Sequence, residues 1–249
     1  MQELFLKQIT FEKELPADSY LSDIPVVKNL YRSGTFKFNS PVTFFVGENG
    51  VGKSTLIEAI AVSMGFNPEG GSLNYSFSTF CSHSELYKYI RVGKSARRRR
   101  DGFFLRAESF YNAASYIEEL DKIPAFSPPL IDSYGGVSLH EKSHGESFMA
   151  LLENRFSGNG IYILDEPESA LSPRSIMRML VIMNDLVKAG SQFIISTHSP
   201  ILTSFPGAEI YQLTEEGIEL TPYKETEHFN LTKRFLNDPE RMLRLLFDE

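Results

Sequence analysis

A chain of 249 residues with one cysteine, Cys81, has no internal disulfide to staple it, which fits a reducing compartment. It also lacks any apolar run near the roughly 20 residues that a membrane-spanning helix needs. The longest runs, such as Ile161–Leu164 and the one that starts at Gln192, are strand-sized. The opening MQELFLKQITFEKE alternates and is charged, without the basic start, apolar stretch and small-residue cleavage site of a secretory signal. These absences lead us to expect a cytoplasmic protein with no membrane insertion. Positive charge is in deficit too, with 25 Lys and Arg against 32 Asp and Glu, a net charge of −7. A molecule so charged does not coat nucleic acid as a whole, and any such contact must be local. Repeats and low-complexity tails are missing, and 42% of the residues are hydrophobic. That is enough for one large core.

What is present alternates between strand and helix. Glu3–Thr10 and Thr35–Phe38 read as strands, and PVTFFV, Pro41–Val46, is a continuous apolar strand that stops at Gly47. Ser54–Met64 then sets Leu56, Ile57, Ile60 and Ala61 on one helical face. The order is strand, glycine loop, helix. Gly65–Thr79 reads as a loop, Phe103–Ala107 as a strand, Phe110–Leu120 as a helix and the proline-rich Pro124–Gly136 as a connector. A helix is expected over Gly145–Arg155 and a buried strand over Ile161–Leu164. Ser172 with Pro173 behind it forms an N-cap and first turn for a helix whose Ile176, Met179, Met183 and Leu186 share a face. Gln192–Ser196 is a further strand, Glu209–Leu213 and Ile218–Thr221 flank TEEG as a hairpin, and a helical tail from Asn230 breaks at Pro239. The fold class is α/β, in one domain spanning 1–249.

GENGVGKS, Gly47–Ser54, fits G-x-x-x-x-G-K-[ST] in full, with the required strand before it and helix after it. The chemistry asks for these residue types. Gly47, Gly50 and Gly52 let the backbone N–H groups of Glu48, Asn49 and Val51 turn toward phosphate oxygens, with Thr55 continuing the helix. Lys53 reaches the terminal phosphates and the Ser54 hydroxyl ligates Mg²⁺. A second signal is IYILDEPES, Ile161–Ser169, a buried strand that ends on two carboxylates. Such an edge is where ligands of open α/β sheets bind. Asp165 suits the Mg²⁺ shell beside Ser54, and Glu166 is placed to activate a water. Third, His198 follows the strand of QFIISTHSP by two residues, where a neutral imidazole serves either a structural role or as a partner of a γ-phosphate.

GENGVGKST, SHGES, ILDEPESALS and THSP, in this order, resemble the nucleotide-binding domain of the ATP-binding-cassette (ABC) class over Val42–Pro200. The flanks are similar to stand-alone bacterial ATPases of that class. The resemblance implies a P-loop NTPase with a mostly parallel central sheet, an antiparallel N-terminal β-subdomain and a small helical signature subdomain inserted at about 80–150. It implies ATP and Mg²⁺ as cofactors, hydrolysis to ADP and phosphate, and a homodimer that sandwiches ATP. Lys53, Glu166 and His198 then carry catalysis, while Ser143 and Gly145 of SHGES meet the γ-phosphate held by the other subunit. A plainer reading of SHGES is a capping box, with Ser143 as N-cap and Glu146 three residues later, and the two are compatible. Transporter cassettes usually carry a glutamine at the end of a strand between the two motifs, where this chain offers Glu108, a candidate for Mg²⁺ or water. DEPE at 165–168 is closer to chromosome-maintenance, recombination and phage-defence ATPases than to transporters. Only about 90 residues separate Ser54 from Ser143, so no long coiled-coil arm is expected, nor an appended nuclease. The expected function is an ATPase coupled to a nucleic-acid maintenance or defence partner. The alternatives are a transporter's nucleotide-binding subunit and a nucleotide-gated scaffold with little hydrolysis.

RVGKSARRRR, Arg91–Arg100, packs six basic residues into ten. Arg97–Arg100 could grip a phosphate backbone, meet an acidic surface of an effector protein, or be a solvated loop. Cys81, His83, His140 and His144 match no zinc spacing. Tyr20 and Tyr31 are aromatics available to stack on adenine, though an aromatic before the first core strand more often serves packing.

Overall fold

The computed structural model describes residues 3–16, 18–72, 84–106, 136 and 143–247. Along them run β1 (Leu6–Phe11), α1 (Pro25–Ser33), β2 (Thr35–Lys37), β3 (Val42–Val46), α2 (Lys53–Met64), β4 (Gly71–Ser72), β5 (Ile90–Lys94) and β6 (Asp101–Arg106). There follow α3 (His144–Asn154), β7 (Gly160–Asp165), α4 (Pro173–Lys188), β8 (Gln192–Ser196), β9 (Glu209–Leu213), β10 (Ile218–Leu220), α5 (Glu227–Asn237) and α6 (Pro239–Phe247).

β3, β7 and β8 are buried at every position, which requires cover on both faces of their sheet. Period-two alternation divides them between two cores. Val42, Phe44, Tyr162 and Leu164 enter the core that also holds Phe148 of α3 and Met179 of α4. Phe45, Ile161 and Ile163 enter the core that holds Leu56 and Ile60 of α2 and Leu6 and Ile9 of β1. The central sheet has the order β10-β9-β3-β8-β7-β6-β4. β9, β3, β8, β7 and β6 are parallel, with β10 and β4 antiparallel at the edges. A second sheet, β2-β1-β5, is antiparallel throughout. These are the mostly parallel sheet and antiparallel N-terminal subdomain expected from the motifs.

Besides shared apolar packing, the side chain of Gln192 ties the two sheets together. Gln192, 1% exposed at the start of β8, accepts from Leu6 N–H at 2.9 Å and donates to Leu6 C=O at 2.9 Å. The β1–β5 register slips between Leu6 and Gln8, so the amide of Gln192 satisfies backbone groups at an irregular point of the ladder.

Several local expectations meet the structure closely. Ser172 caps α4 by accepting from Ser175 N–H at 3.2 Å, with Pro173 in the first turn. The tail is helical and breaks between α5 and α6, just before Pro239. Three elements were not read from the sequence, and the first is the short β4, Gly71–Ser72, which pairs with β6 inside the expected loop Gly65–Thr79. α1 has its own stop and start signals, Pro25 in the first turn and Gly34 as C-cap at φ 67°. β5 overlaps the start of the basic run, with Ile90 just before it buried while Arg91 and Lys94 are exposed. β5 and β6 both lie inside the stretch expected as a helical insertion, at about 80–150. They join sheets because Ile90 packs under β1 and Phe103–Leu105 fill the central core. The helix and connector expected over 110–136 fall, but for Gly136, outside the described residues, as do Glu108, Cys81, His83 and His140.

Candidate active site

Strand order brings the chemistry together. β8 lies between β3 and β7, with Phe45 opposite Ser196 and Ser196 opposite Asp165. The glycine loop, the acidic pair and the Thr197–His198 turn therefore leave the sheet side by side at its carboxyl edge, the usual ligand site of parallel sheets.

The loop after β3 is shaped by its glycines. Gly52 has φ 100°, and a Cβ there would lie 2.4 Å from Ile24 Cγ2 and 2.6 Å from Val26 Cγ1. No other residue lets α1 approach this closely. Gly52 also caps α2 without a side chain, so the first N–H groups of the helix are left for an anion. Lys53 is 4% exposed and donates to Gly47 C=O at 2.8 Å and Glu48 C=O at 2.9 Å. Burial lowers its pKa, offset by the carboxylates of Glu166, Asp165 and Glu168. An incoming polyphosphate supplies the counter-charge that this lysine has only in part.

Ser54 donates to Asp165 Oδ1 at 3.1 Å across 111 residues of sequence. Asp165 is buried and also accepts from the Ser196 hydroxyl. Burial pushes its carboxyl up, against those hydrogen bonds and Arg106, whose Nε lies 4.0 Å away. A buried carboxylate touching a hydroxyl beside a phosphate loop fits Mg²⁺, which takes one or two protein ligands plus phosphate and water. No group of three or more Asp, Glu, His and Cys is arranged for a metal among the described residues.

Glu166 follows in the left-handed region, φ 48° and ψ 53°. Such strain in a non-glycine residue persists only where its surroundings hold it. Here the Glu166 N–H is held by Ser196 C=O at 3.1 Å and Ser196 Oγ at 3.2 Å. Its side chain borders a cavity of about 240 Å³ with Gly52, Lys53, Ser54 and Thr55. A larger cavity of about 560 Å³ adjoins it, lined by Gly47–Val51 and by Asp23, Pro25, Gln212, Thr214 and Glu227.

His198 lies across from Glu166, Nε2 to Oε1 3.4 Å. Its backbone N–H donates to Glu168, which also accepts from the Thr197 hydroxyl at 2.7 Å. Burial raises the Glu168 carboxyl above its ordinary range, against these hydrogen bonds. The second acid of DEPE thus braces the histidine turn, a task its position in the motif did not disclose. On the far side, His198 Nδ1 meets His228 Nε2 at 2.9 Å. Nothing in the sequence near His228 signalled this contact.

SHGES opens α3 as a full capping box. The Glu146 N–H donates to Ser143 Oγ at 3.3 Å, and the Ser143 N–H donates to Glu146 Oε2 at 2.9 Å. Ser143 and His144 are exposed. Gly145 is packed, since a Cβ there would lie 2.8 Å from Ala170 C=O in the turn Pro167–Ala170. Neither Ser143 nor Gly145 lines the cavities beside Lys53. Of the other residues singled out, Tyr31 packs edge-on against Phe11 at 5.2 Å, and Tyr20 approaches Ser84 and Glu85. Arg97 reaches Asn159 and Glu3 C=O and covers Phe5, while Arg99 donates to Met64 C=O at 2.8 Å and covers Phe66. Only Arg98 and Arg100 of the four are exposed.

This arrangement of loop, lysine and acidic strand end is that of a P-loop nucleoside triphosphatase, and the chain is an ATP-hydrolysing enzyme. Comparison with known proteins agrees. Residues 29–132 match a family described as an AAA domain, and 147–204 match an AAA-domain family named for a candidate AbiEii toxin of a type IV TA system. An uncharacterized ABC transporter ATP-binding protein of Haemophilus influenzae is 25% identical over 210 residues, 78% of this chain and 79% of that one. The ABC-type transporter ATP-binding protein EcsA of Bacillus subtilis is 26% identical over 182 residues, 70% and 71% of the two chains. ABC transporter G family member 22 of Arabidopsis thaliana is 25% identical over 175 residues, and this chain spans only 23% of its length. A dimeric post-hydrolysis ATP-binding cassette bound to ADP and Pi superposes with a TM-score of 0.45 at 16% identity, over 86% of this chain and 96% of that one, a likeness too low to carry weight. The fold is an α/β P-loop ATPase fold, and the matches to AAA-domain families and to ABC-type ATP-binding proteins support an ABC-class ATPase.

Proposed function

We propose that the protein dimerises on ATP, hydrolyses it between two copies and uses the cycle to drive a partner. The observation that carries this reading is the contact of Ser54 with Asp165 at 3.1 Å, beside a cavity that Glu166 shares with Gly52–Thr55. Phosphates occupy that cavity, bound by the loop N–H groups and by Lys53, which leaves the carbonyls of Gly47 and Glu48 for the β- and γ-phosphates. The larger adjoining cavity takes the ribose and base. Ser54 and Asp165 would hold Mg²⁺, which would supply neutralisation of the phosphate charge. Glu166 orients a water in line with the γ-phosphorus and accepts its proton as the bond to the ADP oxygen breaks. His198 directs an imidazole N–H at the γ-phosphate.

The sandwich rests on α3. Ser143 is exposed at the N-terminal end of α3, where it pairs with Glu146 in the capping box and the helix dipole favours an anion, and it lies apart from the chain's own phosphate cavity. A second copy that offers Ser143 and Gly145 completes the site. ATP then supplies the contacts that hold the dimer, and hydrolysis removes them.

For the partner, the resemblance of DEPE to chromosome-maintenance, recombination and phage-defence ATPases favours a nucleic-acid maintenance or defence system, and the family matched over 147–204 is itself named for a toxin of a type IV TA system. With Arg97 and Arg99 engaged inside the fold, contact with a phosphate backbone falls to Arg98 and Arg100. The three curated relatives carry ABC transporter names and support a second reading, a transporter's nucleotide-binding subunit. ATPase rate per chain measured against protein concentration tests the sandwich, and a rate independent of concentration from a proven monomer refutes it. Glu166→Gln should lower turnover roughly 10²- to 10⁴-fold, the range for loss of a general base, while ATP binding persists and the dimer lives longer. Unchanged turnover removes Glu166 from the base role.

A further inference from the structure

Two imidazoles meet at the edge of the phosphate site, 30 residues apart in sequence. His198 Nδ1 lies 2.9 Å from His228 Nε2, with the rings 5.0 Å apart and inclined at 68°. A hydrogen bond needs one proton between two ring nitrogens, and the surroundings decide whose it is. The other nitrogen of His198, Nε2, is 3.4 Å from Glu166 Oε1. That atom is buried and makes no closed hydrogen bond. A lone pair there would face the carboxylate, whereas an N–H there is attracted to it. Nε2 therefore carries the proton, Nδ1 carries the lone pair, and the donor between the rings is His228 Nε2–H. Burial lowers the pKa of each ring, aided by the positive charge of Lys53 and opposed by Glu166 at His198 and by Glu227 and Glu48 at His228, in keeping with one proton held between two neutral rings.

His228 is itself anchored to the turn it serves. Thr226, 1% exposed, stands at the N-terminal boundary of α5, and its hydroxyl donates to Tyr223 C=O at 2.8 Å rather than capping the helix. The Tyr223 hydroxyl donates to Pro200 C=O at 3.0 Å, two residues beyond His198. The Tyr223 ring also packs on Phe229, next to His228, with centroids 4.7 Å apart. The first turn of α5 is thus fixed to the Thr197–Pro200 segment by side chain and ring.

We propose that His228 is a positioning residue for His198: its Nε2–H bond to Nδ1 fixes the Nε2–H tautomer and the ring direction, so that His198 presents a donor to the terminal phosphate. This rests on the γ-phosphate role proposed for His198 above. His228→Phe keeps a ring but no donor, and His228→Gln restores an N–H at similar reach. Steady-state ATPase should show kcat falling roughly tenfold in His228→Phe, the low end for loss of a partner that orients a histidine. KM should hold, and His228→Gln should recover to within about threefold of wild type. His198→Ala and His198→Ala/His228→Phe should be equally slow, because the two residues act as one unit. With five histidines in the chain, ¹⁵N ring spectra can assign each tautomer. Wild-type His198 should show Nε2–H, and His228→Phe should mix the forms. An Nδ1–H tautomer in the wild type, wild-type kcat in His228→Phe, or a double variant slower by the product of both factors overturns the proposal. If His198→Ala alone hydrolyses ATP normally, the γ-phosphate role of His198 fails, and the spectra still decide whether His228 sets its tautomer.

Discussion

Replacing Gln192 by leucine should cost this protein more than most single substitutions, although the residue touches no nucleotide. Leucine is close in volume to glutamine and leaves no cavity, so the effect isolates polar satisfaction. The substitution strands the Leu6 N–H and C=O, both bonded to the Gln192 amide at 2.9 Å in a fully buried setting. An orphaned buried backbone group costs about 1–3 kcal/mol, so two cost about 2–6 kcal/mol. For a domain of this size each kcal/mol lowers Tm by about 2–4 °C, giving a fall of about 4–24 °C. The change at the site should be smaller, since β8 keeps its ladder to β3 and β7. Urea denaturation without nucleotide, followed by far-UV circular dichroism, reads the stability difference from the midpoint at constant m. A loss below about 1 kcal/mol in Gln192→Leu would show that the two sheets are held by apolar packing alone, and that the amide clasp is incidental. Gln192→Glu, which keeps the acceptor for Leu6 N–H but loses the donor to Leu6 C=O, checks the same point from the other side.

Glu168 should give a pH signature. Its folded pKa is raised above the ordinary 4.5, so the folded state binds the proton more tightly, and this contribution to stability is full below pH 4.5 and lost as pH rises through the folded value. Glu168→Gln keeps an acceptor for Thr197 and the His198 N–H but carries no charge, so its stability relative to wild type should improve from pH 4 to pH 7.5. A difference that does not change with pH refutes the assignment. For the partner, ATPase stimulated by DNA or RNA should weaken steeply with salt and vanish in Arg98→Glu/Arg100→Glu, with basal turnover retained. Stimulation that survives the pair of charge reversals places the nucleic-acid contact elsewhere, and no stimulation at all favours the transporter reading.

The chemistry of the site was legible because it is encoded over short distances. Gly47–Ser54 sets its own loop, Asp165 and Glu166 end a strand by covalent adjacency, and Ser143 and Ser172 cap helices through contacts three residues on. Caps and periodicity depend on neighbours within one turn, and they read directly from residue type and spacing. Apolar runs likewise marked β3, β7 and β8 as buried on both faces. The basic run misled for a related reason. Its arginines were read as one charged patch, whereas Ile90 alternates with Arg91 in β5, and Arg97 and Arg99 turn inward while Arg98 and Arg100 face water.

The amino-acid sequence by itself determined an α/β protein with a phosphate loop, a carboxylate pair, a histidine turn and a capped helix at SHGES. Only the tertiary structure decided that β8 lies between β3 and β7 and so sets Ser54 against Asp165. It alone placed Gln192 on Leu6, Glu168 under the histidine turn and His228 on His198. These contacts join residues 29 to 186 positions apart, and each is settled by how strands order and helices pack, where many pairings satisfy the same local pattern. One packing buries Asp165 and sets the other carboxylates and the imidazoles beside their partners, and that selection is made by the whole core.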